Sequence, residues 1–242
     1  MTNLSARDRI AFALDVHSRE EALRWVDTLQ SEIGVFKVGL QLFISEGPRL
    51  LKDLAERNVA CFLDLKIHDI PATVERAVHA AVAHQVRYVT VHAASGPEAL
   101  RRAALCTSKA KTKVLAVTVL TSFSDADLEA IGMMGNANAA AHRLARVAFD
   151  CGVRGFVCAP LECASLRQEL GPEAHLVTPG IRRLNPGGSA DDQKRTETAT
   201  TAITHGADLL VVGRPIREAP DPLASARSIL NEIEVASSRN AS

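Results

Sequence analysis

Asp64-Leu65-Lys66-Ile67-His68-Asp69-Ile70 sets two carboxylates around one ammonium in a short stretch of chain. It follows Asn58-Val59-Ala60-Cys61-Phe62-Leu63, which reads as a buried strand. The charges therefore stand where a strand runs out into a loop. Charged side chains are seldom buried unless they are paired. An Asp-x-Lys-x-x-Asp array in that place suggests an alternating-charge network, with the lysine held between acids. A salt bridge that merely closes a strand end is the alternative, and this segment alone does not choose between the two.

A second set of residues suits an anion. Thr178-Pro179-Gly180-Ile181-Arg182 and Val211-Val212-Gly213-Arg214-Pro215 each close an apolar run with a glycine and an arginine. Glycine lets the backbone approach an anion, and Arg182 and Arg214 supply forked donors. Gln193 adds a neutral donor near the start of a helix. Before it, Leu184 to Asp192 carries Asn-Pro-Gly-Gly-Ser and reads as a long flexible connection, a candidate lid.

These residues need a frame, and the chain supplies short apolar runs alternating with longer amphipathic ones. Strands are expected over Arg9 to Val16, Ile33 to Gly39, Val59 to Lys66, Arg87 to Ala93, Lys113 to Leu120, Gly155 to Ala159, His175 to Pro179 and Asp208 to Gly213. Ser18, with Glu21 as its capping-box partner, starts a helix that runs to about Ser31. Further helices are expected over Glu46 to Arg57, Pro71 to Gln85, Pro97 to Lys109, Asp125 to Ile131, Asn138 to Cys151, Leu161 to Leu170, Asp192 to Gly206 and Pro222 to Val235. The strands lack polar alternation, as expected when both faces of a parallel sheet are covered. Eight strand–helix units in 242 residues predict an α/β TIM (β/α)8 barrel that takes up the whole chain, residues 1–242, as a single domain. An open doubly wound sheet is disfavoured, because no Gly-x-Gly-x-x-Gly follows the first strand.

In such a barrel the C-terminal ends of the strands form the active-site rim. Reading those ends in order gives Asp15, Lys37, Asp64, Lys66, His92, Thr118, Thr121, Thr178, Arg182, Gly213 and Arg214. Polar groups at nearly every end favour a functional rim over a purely structural core. His92 reads better as a satisfied rim histidine than as a general base.

Composition narrows the class. Lys+Arg and Asp+Glu are each 28, so the formal charge is zero, which argues against a nucleic-acid partner. Cys61, Cys106, Cys151, Cys158 and Cys163 form no CxxC pair and read as buried free thiols of a reducing cytosol, not as a disulfide set or a zinc site. Met1 to Arg9 is polar, without an apolar signal core, and no run approaches the ~18 apolar residues that span a bilayer. A soluble cytoplasmic protein with no membrane partner is expected.

Taken together these residues resemble the orotidine 5′-phosphate decarboxylase family. The likeness runs from Ala13-Leu14-Asp15 to Gly213-Arg214-Pro215-Ile216. It is most specific at Asp64-Leu65-Lys66-Ile67-His68-Asp69-Ile70-Pro71, at Thr178-Pro179-Gly180-Ile181-Arg182 and at Asp191-Asp192-Gln193-Lys194-Arg195. The resemblance implies decarboxylation of orotidine 5′-phosphate to uridine 5′-phosphate, with no cofactor and no metal. It implies that Lys37, Asp64, Lys66 and Asp69 form the catalytic charge network, with Lys66 as proton donor. Asp15 and Lys37 would hold ribose hydroxyls, and Thr121 would lie beside the pyrimidine. Gln193, Arg182, Arg214 and the Gly213 amide would grip the phosphate, with Ile70 and Pro179 also touching substrate. A homodimer is implied, in which Asp69 and Thr73 enter the partner's site. Ala72 stands where many members carry Asn, a flanking change.

Two other readings share parts of the pattern. A sugar-phosphate decarboxylase or synthase of the same superfamily would use magnesium, with a glutamate at the end of strand two. This chain has Lys37 there, and one cation opposes another. A barrel that only senses a nucleotide has no use for a buried lysine between acids.

Overall fold

Eight parallel strands close into a barrel in the computed structural model, which describes residues 4–182 and 197–240. The strands are β1 (Ile10–Ala13), β2 (Val35–Gly39), β3 (Ala60–Ile67), β4 (Tyr88–His92), β5 (Lys113–Val117), β6 (Gly155–Val157), β7 (His175–Thr178) and β8 (Leu209–Val212). Each pairs with the next, and β8 returns to β1 through Ile10↔Leu210. Around them lie α1 (Arg19–Leu29), α2 (Leu40–Glu46), α3 (Pro48–Glu56), α4 (Pro71–Ala83), α5 (Pro97–Thr107), α6 (Asp125–Ala130), α7 (Ala137–Asp150), α8 (Cys163–Leu170), α9 (Ala199–Thr204), α10 (Arg214–Arg217) and α11 (Pro222–Asn240). The expected (β/α)8 barrel is therefore the observed fold. Among the described residues no helix is long and apolar enough to cross a membrane.

Local chemistry explains most boundaries. Ser18 caps α1 by accepting from the Glu21 amide. Pro48, Pro71 and Pro97 open α3, α4 and α5, where the missing N–H costs nothing. The helix expected over Glu46 to Arg57 is observed as α3, and α2, a short helix that was not expected, precedes it. Gly47 adopts φ 62 between them, and Pro48 cannot continue the first helix. Part of the helix expected from Asp192, the candidate lid and Gln193 lie outside the described residues; α9 is its described portion.

The core has two shells. Between sheet and helices, side chains such as Phe12, Phe36, Val89, Phe156 and Leu210 pack against the helices. Inside the barrel, Ala11, Val35, Phe62, Tyr88, Leu115, Val177 and Leu209 form a plug. Strand side chains alternate faces, so the plug residues fix which later residues also point inward. Close packing sets the narrow points: a Cβ on Gly155 would stand 2.7 Å from the Val114 carbonyl oxygen.

His175 lies at the base of this plug, stacked on Tyr88 with ring centroids 5.5 Å apart. Its Nε2 is buried with no hydrogen-bond partner among the described residues. Burial lowers its pKa to about 4, with Asp208 opposing that shift. A base whose folded-state pKa is depressed binds its proton more readily when unfolded. Its contribution is thus complete above the unfolded value of about 6.5 and is lost as pH falls toward the folded one. The expected loss between neutral pH and pH 4 is at most about 3 kcal/mol. Urea midpoints measured from pH 7.5 down to 4 should fall less steeply for His175→Phe than for the parent chain. Equal slopes would assign the acid sensitivity to other groups.

Candidate active site at the barrel mouth

One step beyond the plug along each strand, on the same inward face, stand Ala13, Lys37, Asp64, Val117 and Val211. All of them line a cavity of about 350 Å³. The period of two thus carries the chain from apolar filling to charge within one dipeptide of β2 and of β3. Asp15, Lys66, Thr121, Pro179, Arg182, Gly213 and Arg214 line the same cavity.

The charged groups alternate in sign. Lys37 Nζ lies 3.3 Å from Asp15 Oδ1 and 3.8 Å from Asp64 Oδ2. Lys66 Nζ donates to Asp64 Oδ2 at 2.9 Å. Asp64 is thus the shared acid between two ammonium groups, and its side chain is only 13% exposed. Burial opposes its charged form, but Lys37, Lys66 and the hydrogen bonds from Lys66 and Thr90 outweigh burial and hold its pKa below the usual carboxylate range. With a depressed folded pKa, its contribution to stability is present above the unfolded value and lost as pH falls through the folded one.

Lys66 departs from the expected strand end. β3 runs through it to Ile67, and its register against β4 shifts between Leu63 and Ile67. Lys66 itself adopts φ 48, a left-handed conformation. Asp69 is not beside it. Its carboxylate accepts from the Ile70 amide at 2.6 Å, and among the described residues it makes no ion pair. Asp69, Ile70 and Thr73 are exposed, and Ile70 is 67% so. The chain therefore brings together Asp15, Lys37, Asp64 and Lys66, and leaves Asp69 and Thr73 facing outward.

Also lining the cavity, Pro179, Gly180 and Arg182 follow β7, and Gly213 and Arg214 lead into α10. Arg182 donates to the Ile181 carbonyl, and Arg182 meets Glu197 through its backbone amide. Two rim residues expected from the sequence point elsewhere. Thr118 and Thr178 are buried, and their hydroxyls donate to the Val157 and Cys158 carbonyls. His92 ends β4, and its buried Nδ1 has no partner among the described residues. Burial, then His68 and Lys66, lower its pKa.

Two residues were missed in the sequence. Arg217 reaches back to the Asp15 carbonyl at 3.0 Å and lines the cavity, a contact 202 residues apart that no local pattern announces. Thr90 is buried and hydrogen-bonds both the Lys66 amide and Asp64. Its signal was present: in Tyr88-Val89-Thr90-Val91-His92 it shares the inward parity of Tyr88. Among the described residues no group of three or more His, Cys, Asp or Glu side chains is placed to hold a metal ion.

A family model described as "Orotidine 5'-phosphate decarboxylase / HUMPS family" matches residues 8–229. A protein of Thermobifida fusca named orotidine 5′-phosphate decarboxylase is 44% identical, over 93% of this chain and 95% of its own length. One of the same name from Anaeromyxobacter dehalogenans is 47% identical, over 92% of this chain and 96% of its own. Among solved structures, orotidine 5′-phosphate decarboxylase from Lactobacillus acidophilus superposes with a TM-score of 0.82 at 32% identity, covering 93% of this chain and 99% of that one.

Proposed function

The chain belongs to the orotidine 5′-phosphate decarboxylase / HUMPS family, and we propose that it decarboxylates orotidine 5′-phosphate to uridine 5′-phosphate and carbon dioxide in pyrimidine synthesis, without a cofactor. The observation that carries this reading is the run Asp15–Lys37–Asp64–Lys66, which alternates in sign inside one cavity that Arg182 and Arg214 also line. Residues 1–242 act as one decarboxylase domain, and the five free cysteines suit a reducing cytoplasm.

Loss of carbon dioxide from C6 of the pyrimidine leaves a carbanion in the ring plane, where the π system delocalises it poorly. A fixed ammonium beside C6 stabilises that charge as it develops and then gives up its proton to the carbon. Lys66 fills this role, and solvent later returns a proton to its amine. Asp64 aims Lys66. Asp15 and Lys37 hold the ribose hydroxyls, Thr121 lies beside the pyrimidine, and Pro179 lines its far edge. Arg182, Arg214, the Gly213 amide and Gln193 hold the phosphate. Asp69, with Ile70 and Thr73, completes the site of a second copy in a homodimer; its outward placement and the exposed Ile70 support this.

The magnesium-dependent alternative of the same superfamily is disfavoured by Lys37. That ammonium occupies the end of β2, where a magnesium site would need an acid, and it already pairs with Asp15 and Asp64. Carbon dioxide release from orotidine 5′-phosphate, measured with and without a chelator, tests the function. Turnover unaffected by the chelator is expected, and no release in either condition would overturn the proposal.

The phosphate grip should act on turnover as well as capture. Binding energy gained far from the reacting carbon can be used to close and order the site, so truncated substrates lose rate too. Orotidine lacking its phosphate is expected to react far more slowly even at saturation, and added phosphite to restore part of the rate. If no concentration of phosphite raises the rate, Arg182 and Arg214 are anchors only.

A further inference from the structure

We infer that Thr90 is a positioning residue for the reaction, fixing Lys66 and Asp64 together through one hydroxyl; this rests on the decarboxylase reading above. From Leu63 to Ile67, β3 advances four positions while its partner β4 advances two, from Val89 to Val91. The extra residues bulge out of the ladder, and bulges commonly re-aim a side chain. Lys66 sits in that bulge at φ 48. Among the described residues the other non-glycine residues at positive φ are Asn58 and Gln85, which follow the ends of α3 and α4, where helices often terminate in this way. Among the described residues Lys66 alone adopts it inside a strand.

Something must hold the bulge in place, and Thr90 has the right connections. The Lys66 amide donates to Thr90 Oγ1 at 2.8 Å. A hydroxyl has one hydrogen to give, and with the amide donating to it, that hydrogen goes to Asp64 Oδ1 at 3.0 Å. The second Asp64 oxygen accepts from Lys66 Nζ at 2.9 Å. A closed ring results: Lys66 backbone, Thr90 hydroxyl, Asp64 carboxylate, Lys66 ammonium. One end of the ring sets the backbone from which the lysine side chain springs, and the other sets the carboxylate that receives its tip. Thr90 is fully buried on β4. Removing it leaves a buried amide without an acceptor and frees the left-handed backbone to relax, which moves the ammonium relative to the reacting carbon.

The test compares Thr90→Val and Thr90→Ala, which lack the hydroxyl, with Thr90→Ser, which keeps it. Both hydroxyl-less variants are expected to lower kcat for orotidine 5′-phosphate about 10- to 100-fold, since small misplacements of a reacting group cost this much. KM and the dissociation constant for uridine 5′-phosphate should stay within about threefold of the parent chain, because only the transition state uses the ammonium at full strength. Thr90→Ser should restore kcat to within about threefold. Unchanged kcat in Thr90→Val or Thr90→Ala overturns the inference. So does a loss that falls equally on product affinity, or a Ser variant as slow as Val. If neither Thr90→Val nor Thr90→Ala folds, Thr90 belongs to stability and the inference also falls. Absence of decarboxylation in the parent chain would strike the functional reading itself, a separate outcome.

Discussion

Lys66→Ala is expected to fold, to bind uridine 5′-phosphate and to turn over almost nothing. The lysine ends the array: its ammonium bonds Asp64, and its backbone occupies the bulge of β3. Deleting a preorganised charge aimed at the transition state costs about 10²–10³ in rate, and here the same group is also the proton source. A loss of at least about 10³, or ~4 kcal/mol of barrier, is therefore expected. Folding should survive, because the side chain contributes no core packing and Lys37 remains beside Asp64. Circular dichroism and product binding establish that the variant is intact, and single-turnover release of carbon dioxide measures the chemistry. A variant that keeps more than about a tenth of the parent rate has lost under 1.4 kcal/mol, and Lys66 is then not the proton donor.

The second large effect concerns Asp69. Its carboxylate faces outward and is held by the Ile70 amide, with no cation beside it among the described residues. If it completes a neighbouring copy's site, Asp69→Ala and Lys66→Ala should each be nearly inactive alone. Mixed in equal amounts and allowed to exchange subunits, they should regain activity. About half the dimers are then mixed, each with one intact site and one carrying both lesions, so recovery should approach roughly a quarter of the parent activity. Exchange is verified with differently tagged chains. A mixture that stays as inactive as its parents after verified exchange would place Asp69 in the service of its own chain.

The barrel was legible because β/α alternation repeats along the chain, and because doubly buried strands leave a continuous apolar signature. Lys37, Asp64 and Lys66 were legible for a related reason: charge directly after such a run demands a partner. Other features depend on register, which no single segment records. Thr118 and Thr178 stand at strand ends, as the rim residues do, but on the opposite parity, so their hydroxyls close backbone carbonyls. Thr90 has the correct parity and looked like one more β-branched strand residue. Arg217 reaches Asp15 only because closure brings β8 beside β1. The short α2 went unseen because its seven residues bury only Leu42, too few for a periodic apolar signal before the Gly-Pro pair that stops it and starts α3.

The left-handed Lys66 also bears on how such a chain would evolve. A non-glycine residue in that conformation gives up on the order of 1 kcal/mol that glycine would keep. Selection for stability and selection for chemistry therefore pull this position in opposite directions. Only continued demand for the ammonium holds lysine there. In a duplicated copy released from that demand, substitution by glycine would be gained by drift and favoured by folding, while the barrel around it stayed intact. Position 66 would then record when a lineage ceased to use the reaction, long before the fold itself showed any sign of decay.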